Sequence, residues 1–303
     1  MRLLSRTTPT QYDEHLTYFT VAQANQFRRV VERSFARAGR DVEVYPNRVE
    51  DRGGTTFQLW NIGALCIGAE PGDWAALVDD HVRLVTTPTR SLAELSQEEL
   101  ETGLHLRLVE ATAVSDPDAL AYARVIEPGL CEVLSVELPD SVATPSREEL
   151  AAYGTIGELI TRGRENLLAL LEGDGLRVEA VGERGQGRFT SVTGDSPFTA
   201  SLALLLTETV ERLTGEDDWG RGVLVAVPGR HRLLYRPIDT SDAARALQEM
   251  QQAAIRGFAG EPGALSPDVY WVRARSWVQV TSCAGGKPRV LRGTGLRDAL
   301  KGM

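Results

Sequence analysis

Three times along this chain, near residues 42–85, 121–171 and 176–214, two short segments of alternating apolar and polar residues precede a segment with apolar residues at helical spacing. A period of two marks a half-buried strand and a period of 3.6 an amphipathic helix, and strands joined by a tight turn lie antiparallel. The pattern predicts an α+β protein: predominantly antiparallel sheets flanked by amphipathic helices, with strand-strand-helix as the recurring unit. The three stretches share this order without residue-level similarity.

From Thr20 onward Val21, Ala24, Phe27, Val30, Val31, Phe35 and Ala38 follow a helical stripe that Gly39 ends. "DVEVYP" and "TTFQLWNI" read as strands with "EDRGG" as the turn between them, and "PGDW" opens a second helix with Asp73 as N-cap and His81 on or beside its buried face. After a connection over residues 86–103, "LHLRLVE" and "CEVLSVEL" read as neighbours in one antiparallel sheet. "SREE" at 146–149 is a capping box, and a longer helix follows at "TIGELITRGRENLLALL". Next come strands at "LRVEAV" and "GRFTSV", then an apolar helix through Leu202, Leu205, Leu206, Val210 and Leu213. "GVLVAVPGRHRLLYRPI" reads as a hairpin with Pro228 and Gly229 central to a type II turn. A helix over Ser241 to Phe258 and two aromatic strands in "SPDVYWVRARSWVQVTS" complete the pattern. These elements suggest an N-terminal helix-hairpin-helix α/β subdomain over 1–100, a larger α+β subdomain over 101–282 and a basic, Gly-rich flexible tail over 283–303.

Composition narrows the function. A net charge of −9 repels phosphate backbones over most of the surface, which argues against a nucleic-acid partner. Only two of the 33 basic residues are Lys, Lys287 and Lys301, a skew that a GC-rich bacterial genome would produce. Cys66, Cys131 and Cys283 are odd in number and show no CxxC spacing, so they read as reduced thiols and not as a disulfide framework or a zinc site. No window has the length and apolarity of a signal peptide or a membrane span, so a cytoplasmic protein with no membrane association is expected.

The stretch "SVTGDSPFTASLALLL" places Gly-Asp-Ser between a strand and a helix, where a serine hydroxyl can lie beside free backbone N–H groups. Ser196 with Asp195 and His231 is therefore the candidate hydrolytic set. The same residues read more simply as a cap, with Asp195 or Ser196 at the helix N-terminus and Pro197 in its first position, and the cap is the favoured reading. No downstream Asp-x-x-His pairing of the GDSL hydrolase kind accompanies Ser196. His231 is flanked by Arg230 and Arg232. Strand alternation puts His231, Leu233 and Tyr235 on one face and Arg232, Leu234 and Arg236 on the other, so the two flanking arginines are candidate contacts for a carboxylate or phosphate. Tyr270, Trp271 and Trp277 read as core or as cross-strand pairs, with Trp271 and Trp277 as the alternative partner surface. "GEDDWG" lacks the EF-hand spacing, adjacent positions in "DDH" point apart on a helix, and no HExxH or P-loop is present, so no metal or cofactor is expected.

"VLVAVPGRHRLLYRPI", "LSPDVYWV", "EPGLCEVLSVELPDSV" and "GELITRGRENLLALL" together resemble the YtpQ-like group of uncharacterised bacterial proteins, over residues 55–275. The resemblance implies a cytoplasmic bacterial protein of mixed α/β type with no assigned reaction. With no complete catalytic constellation, the chain reads as a non-enzymatic binding or accessory protein. Its partner would be another protein, of the immunity or adaptor type, because an acidic surface can neutralise a basic one. The alternatives are the Ser196 hydrolase and the Arg230/Arg232 anion module.

Overall fold

The computed structural model describes residues 11–53, 55–86, 92–111, 114, 118–139, 141–183, 185–215, 221–238, 242–274, 276–283 and 288–301. The chain divides into two compact units, Met1–Pro88 with Ala259–Pro262, and Thr89–Phe258 with Gly263–Met303.

The first unit opens with α1 (Val21–Arg37), entered through a capping box in which Thr20 and Gln23 bond each other's backbone N–H. Three short strands follow, β1 (Val42–Val44), β2 (Arg48–Asp51) and β3 (Thr56–Gln58), paired antiparallel in sequence order. Then come α2 (Trp60–Ile67) and α3 (Trp74–Thr86). Phe19, Phe27 and Trp74 pack ring against ring in the core, Phe19 lying 5.2 Å from each of the other two. The helix-hairpin-helix expectation gains a strand and a helix here. "EDRGG" joins β3 to β2, not to "DVEVYP", and "WNI" begins α2. The β2–β3 ladder closes with the Leu59 N–H on the Asn47 carbonyl before the chain turns into α2, where Gly63 lets Tyr18 lie close enough to bond the Trp60 carbonyl at 2.7 Å.

The second unit begins with α4 (Gln97–Gly103), β4 (Leu104–Glu110), β5 (Arg124–Glu127), β6 (Leu130–Leu138) and β7 (Ser141–Ala143). β6 is flanked by β4 on one side and pairs with β5 and β7. The expected pairing of "LHLRLVE" with "CEVLSVEL" is present in continuous register from Leu104↔Val136 to Glu110↔Leu130. α5 (Arg147–Leu150) starts at the Ser146–Glu149 capping box, and α6 (Ile156–Ala169) starts at a second one, Thr155–Glu158.

After these come β8 (Leu176–Val181), β9 (Phe189–Gly194), a 3-10 helix (Thr199–Leu205), α7 (Leu206–Thr214), β10 (Val223–Gly229), β11 (Arg232–Pro237) and α8 (Ala243–Gly260). The chain ends with β12 (Val269–Arg273), β13 (Ser276–Gln279), β14 (Thr281–Ser282), β15 (Arg289–Val290) and α9 (Leu296–Lys301). Three hairpins lie side by side in a six-stranded antiparallel sheet of order β13-β12-β10-β11-β9-β8. One face of this sheet, with Val225, Leu233 and Tyr235, shares a core with β4, β6, α6, the 3-10 helix and α7. The other face, with Leu224, Leu234 and Trp271, is covered by α8 and α9. β10 is therefore buried at every position, as expected of a central strand covered on both faces.

Three expectations change. The single apolar helix is a 3-10 helix followed by α7, because tertiary bonds claim the backbone and side chains of its first turn. The hairpin turn falls at Arg230–His231, since Gly229 pairs with Arg232 across a bulge that accommodates Pro228, and Gly229 lacks the positive φ that a type II turn needs. Residues 288–301 form β15 against β14 and carry α9, whose Leu296 is 3% exposed beside the Trp271 core, so this part packs as structure where a flexible tail was expected. Residues 284–287 and 216–220, including most of "GEDDWG", lie outside the described residues.

α6 meets β4 at Gly163, where a Cβ would stand 3.0 Å from the Leu106 nitrogen and 3.1 Å from the His105 carbonyl carbon. Gly157, on the same helix, has open space around it. Helix propensity alone favours Ala over Gly by up to about 1 kcal/mol at either position. We expect Gly157→Ala to be neutral or stabilising and Gly163→Ala to be destabilising in urea denaturation. Equal effects at the two sites would contradict the close contact of α6 with β4.

Candidate functional site

Ser196 lies in the turn between β9 and the 3-10 helix. Its Oγ accepts from the Phe198 N–H at 3.2 Å, and its carbonyl accepts from the Thr199 N–H at 3.2 Å and the Thr199 hydroxyl at 2.8 Å. These are the bonds of a serine closing its own turn. Asp195 beside it is exposed.

His231 stands at the β10–β11 corner with both ring nitrogens engaged. Nδ1 is 3.1 Å from the Gly194 carbonyl, which can only accept, so Nδ1 carries the proton. The lone pair left on Nε2 accepts from Arg230 Nε at 2.9 Å. Burial first, and the Arg230 charge second, hold His231 below the ordinary histidine value. A general base needs a free lone pair near its substrate proton, and this one is occupied by a cation. The hydrolytic set of Ser196, Asp195 and His231 is thus present as neighbours without the bond from serine to imidazole that activates a nucleophile.

The two arginines flanking His231 diverge. Arg232 alternates onto the Leu234 face of β11, whereas Arg230 runs toward the 3-10 helix and β4. The Arg230 backbone is fixed by its N–H to the Gly263 carbonyl at 2.8 Å and its carbonyl to the Ala200 N–H at 3.0 Å. Gly263 has φ +71°, and a Cβ there would overlap the Arg230 side chain. The Arg230 charge is felt at Arg107 of β4. The adjacent Leu108 N–H donates to Ser201 Oγ at 2.9 Å, so consecutive residues of the 3-10 helix tie down both arginine-bearing segments.

Arg107 Nε is buried and makes no hydrogen bond. Burial, reinforced by the Arg230 charge, pushes the Arg107 guanidinium down to about 10. Burial alone lowers Arg230. Among the described residues no salt bridge from an acidic side chain offsets either guanidinium. Alongside, His105 stacks on Phe198 with ring centroids 4.2 Å apart. Arg107 carries no signal in "LHLRLVE" taken alone, which suggests a strand with one wet face. Taking both strands together reveals the burial: the face of Arg107 also carries Cys131, Val133 and Ser135 of β6.

Trp271 and Trp277 are buried within the chain, at 6% and 9% exposure. Trp271 Nε1 donates to the Arg221 carbonyl at 2.8 Å, and the Trp277 ring lies 5.6 Å from Tyr270. They are core residues and offer no partner surface, because the sheet is covered on both faces. Among the described residues no group of three or more His, Cys, Asp or Glu is arranged to hold a metal ion, and no helix is long and apolar enough to cross a membrane.

Two outcomes follow. Ser196→Ala should cost about 1 kcal/mol of stability, the net value of one turn hydrogen bond; an unchanged urea midpoint would contradict the turn role. Burial lowers His81, His105 and His231 from the ordinary histidine value, so as pH falls the fold takes up protons later than the unfolded chain does. The unfolded state then binds more protons below pH 6.5, and stability falls as pH drops through that window. His231→Gln should flatten the fall in melting temperature between about pH 7 and about pH 5; a slope equal to that of the parent protein would contradict the buried neutral imidazole.

Comparison of the chain with family models, with curated proteins and with solved structures gives no match.

Proposed function

We propose that this protein is a non-enzymatic binding protein whose ligand presents a carboxylate or phosphate to Arg107 and Arg230. One observation carries the reading: the Arg107 Nε is buried without a hydrogen bond while the guanidinium lies within reach of the Arg230 charge, with no described salt bridge to an acid. Both arginines are half-buried; a guanidinium that loses part of its hydration without an acid beside it is destabilised, and a like charge nearby adds repulsion. An anion between them would supply the missing acceptor for Arg107 and cancel the repulsion in one step, and guanidinium groups suit the planar oxygens of carboxylates and phosphates.

His231 fits this role as a positioning residue. Its neutral Nε2 accepts from Arg230 Nε and so fixes the direction of the guanidinium. The hydrolase alternative through Ser196 and His231 draws no support from the same geometry, because the hydroxyl and both imidazole nitrogens already serve local bonds.

Thermal denaturation with inorganic phosphate and with succinate as probes tests the reading. At a concentration about 100 times the dissociation constant, a ligand selective for the folded state adds about 2.7 kcal/mol of stability. We expect one of the two probes to raise the melting temperature of the parent protein. Arg107→Met should raise it in anion-free buffer, by removing a half-buried charge that no acid offsets, and should abolish the response to the probe. No response of the parent protein to either probe, or a full response of Arg107→Met, would overturn the proposal.

A further inference from the structure

We infer that β8 pairs with β8 of a second copy of this chain, antiparallel and centred on Val178, to form a two-fold dimer with one sheet running through both subunits. β8 is the outer strand of the six-stranded sheet, and Arg177 through Val181 are all exposed, including Val178 at 41% and Val181 at 39%. Its register with β9 is unbroken over six residues, from Leu176↔Gly194 to Val181↔Phe189. Exposed edges in monomeric proteins are blunted by bulges, by proline, by charged side chains and lysine above all, or by a covering segment; the charges on β8 are Arg177 and Glu179, one of each sign. "LRVEAV" contains no proline and no lysine, and the strand carries no bulge.

Two other outer strands of this unit, β13 and β4, have outward N–H groups capped by side chains. At the opposite edge of the same sheet the Gln279 N–H of β13 donates to the Glu127 carboxylate at 3.3 Å. On the outer side of β4 the Leu108 N–H is taken by Ser201 Oγ. Among the described residues β8 makes no backbone hydrogen bond beyond those to β9.

The sequence of β8 selects its partner. In an antiparallel pair centred on Val178, Arg177 stands opposite Glu179 of the partner subunit, and the same contact recurs across the two-fold axis. Cross-strand pairs of opposite charge favour a register and like charges oppose it. Moving the centre to Arg177 or to Glu179 sets that charge against its own copy, so the valine-centred register is the one that matches. This is an isologous contact, self-complementary and closed at two subunits.

Light scattering on size-exclusion fractions across a dilution series tests this. The parent protein should approach twice 33.1 kDa at the concentrated end. Arg177→Glu and Glu179→Arg each put like charges opposite one another twice, and each should weaken dimerisation by about tenfold or more. Mixing the two single variants makes every cross-strand pair complementary again, as does the double variant Arg177→Glu/Glu179→Arg, so both samples should regain the dimer mass. A parent protein that stays at 33.1 kDa throughout, single variants that dimerise like the parent, or a mixture that stays monomeric would overturn the inference.

Discussion

The larger unit depends on how the segment Thr199–Leu205 satisfies its polar groups while buried. It lies against β4 on one side and against β9, β10 and β11 on the other, and all but one of its seven residues are buried. A run of seven residues in 3-10 form is long, since most such runs extend over three or four. Its polar groups are satisfied from outside: Ala200 donates to Arg230, Ser201 accepts from Leu108, and Leu202 receives the Thr209 hydroxyl at 3.0 Å. A regular α-helix would draw these groups inward and release both sheets. The geometry of this short segment thus fixes the spacing between the arginines of β4 and the β10–β11 corner.

Local signals were legible in the sequence wherever one residue type dictates one geometry. The Ser146–Glu149 box starts a helix where its spacing indicates, and the stripe after Thr20 buries Ala24, Phe27, Val30, Val31 and Phe35. The alternation after Arg230 sends Leu233 and Leu234 to opposite cores. What escaped depends on contacts remote in sequence. Gly229 carries a turn signal that a bulge at Pro228 overrides, and the tail is Gly-rich and basic yet anchored by Leu296. Arg107 escaped for a similar reason: its strand looks half solvated until the facing strand and the 3-10 helix are in place.

The arrangement of charge separates structural from binding roles. Arg28 meets Asp13 through two bonds of 2.9 Å, and Arg124 meets Glu132, pairings that leave neither side chain seeking a partner. Such pairs near the surface contribute at most about 1 kcal/mol each. Arg107 and Arg230 lack this compensation although the chain carries nine more acidic than basic residues. The acidic residues are therefore plentiful but distributed away from this cluster, which is the opposite of what folding stability alone would favour.

The six-stranded sheet consists of three hairpins, each closed by strands adjacent in sequence. Contacts of this kind form early, because little chain must be ordered to make them. The bond from Leu108 to Ser201 is different in kind, joining residues 93 apart. Until it closes, β4 and the β10–β11 corner are parts of separate local structures, and the two guanidinium groups remain apart in water. The cluster belongs to the completed unit alone, so a ligand held there would report on whether folding has finished.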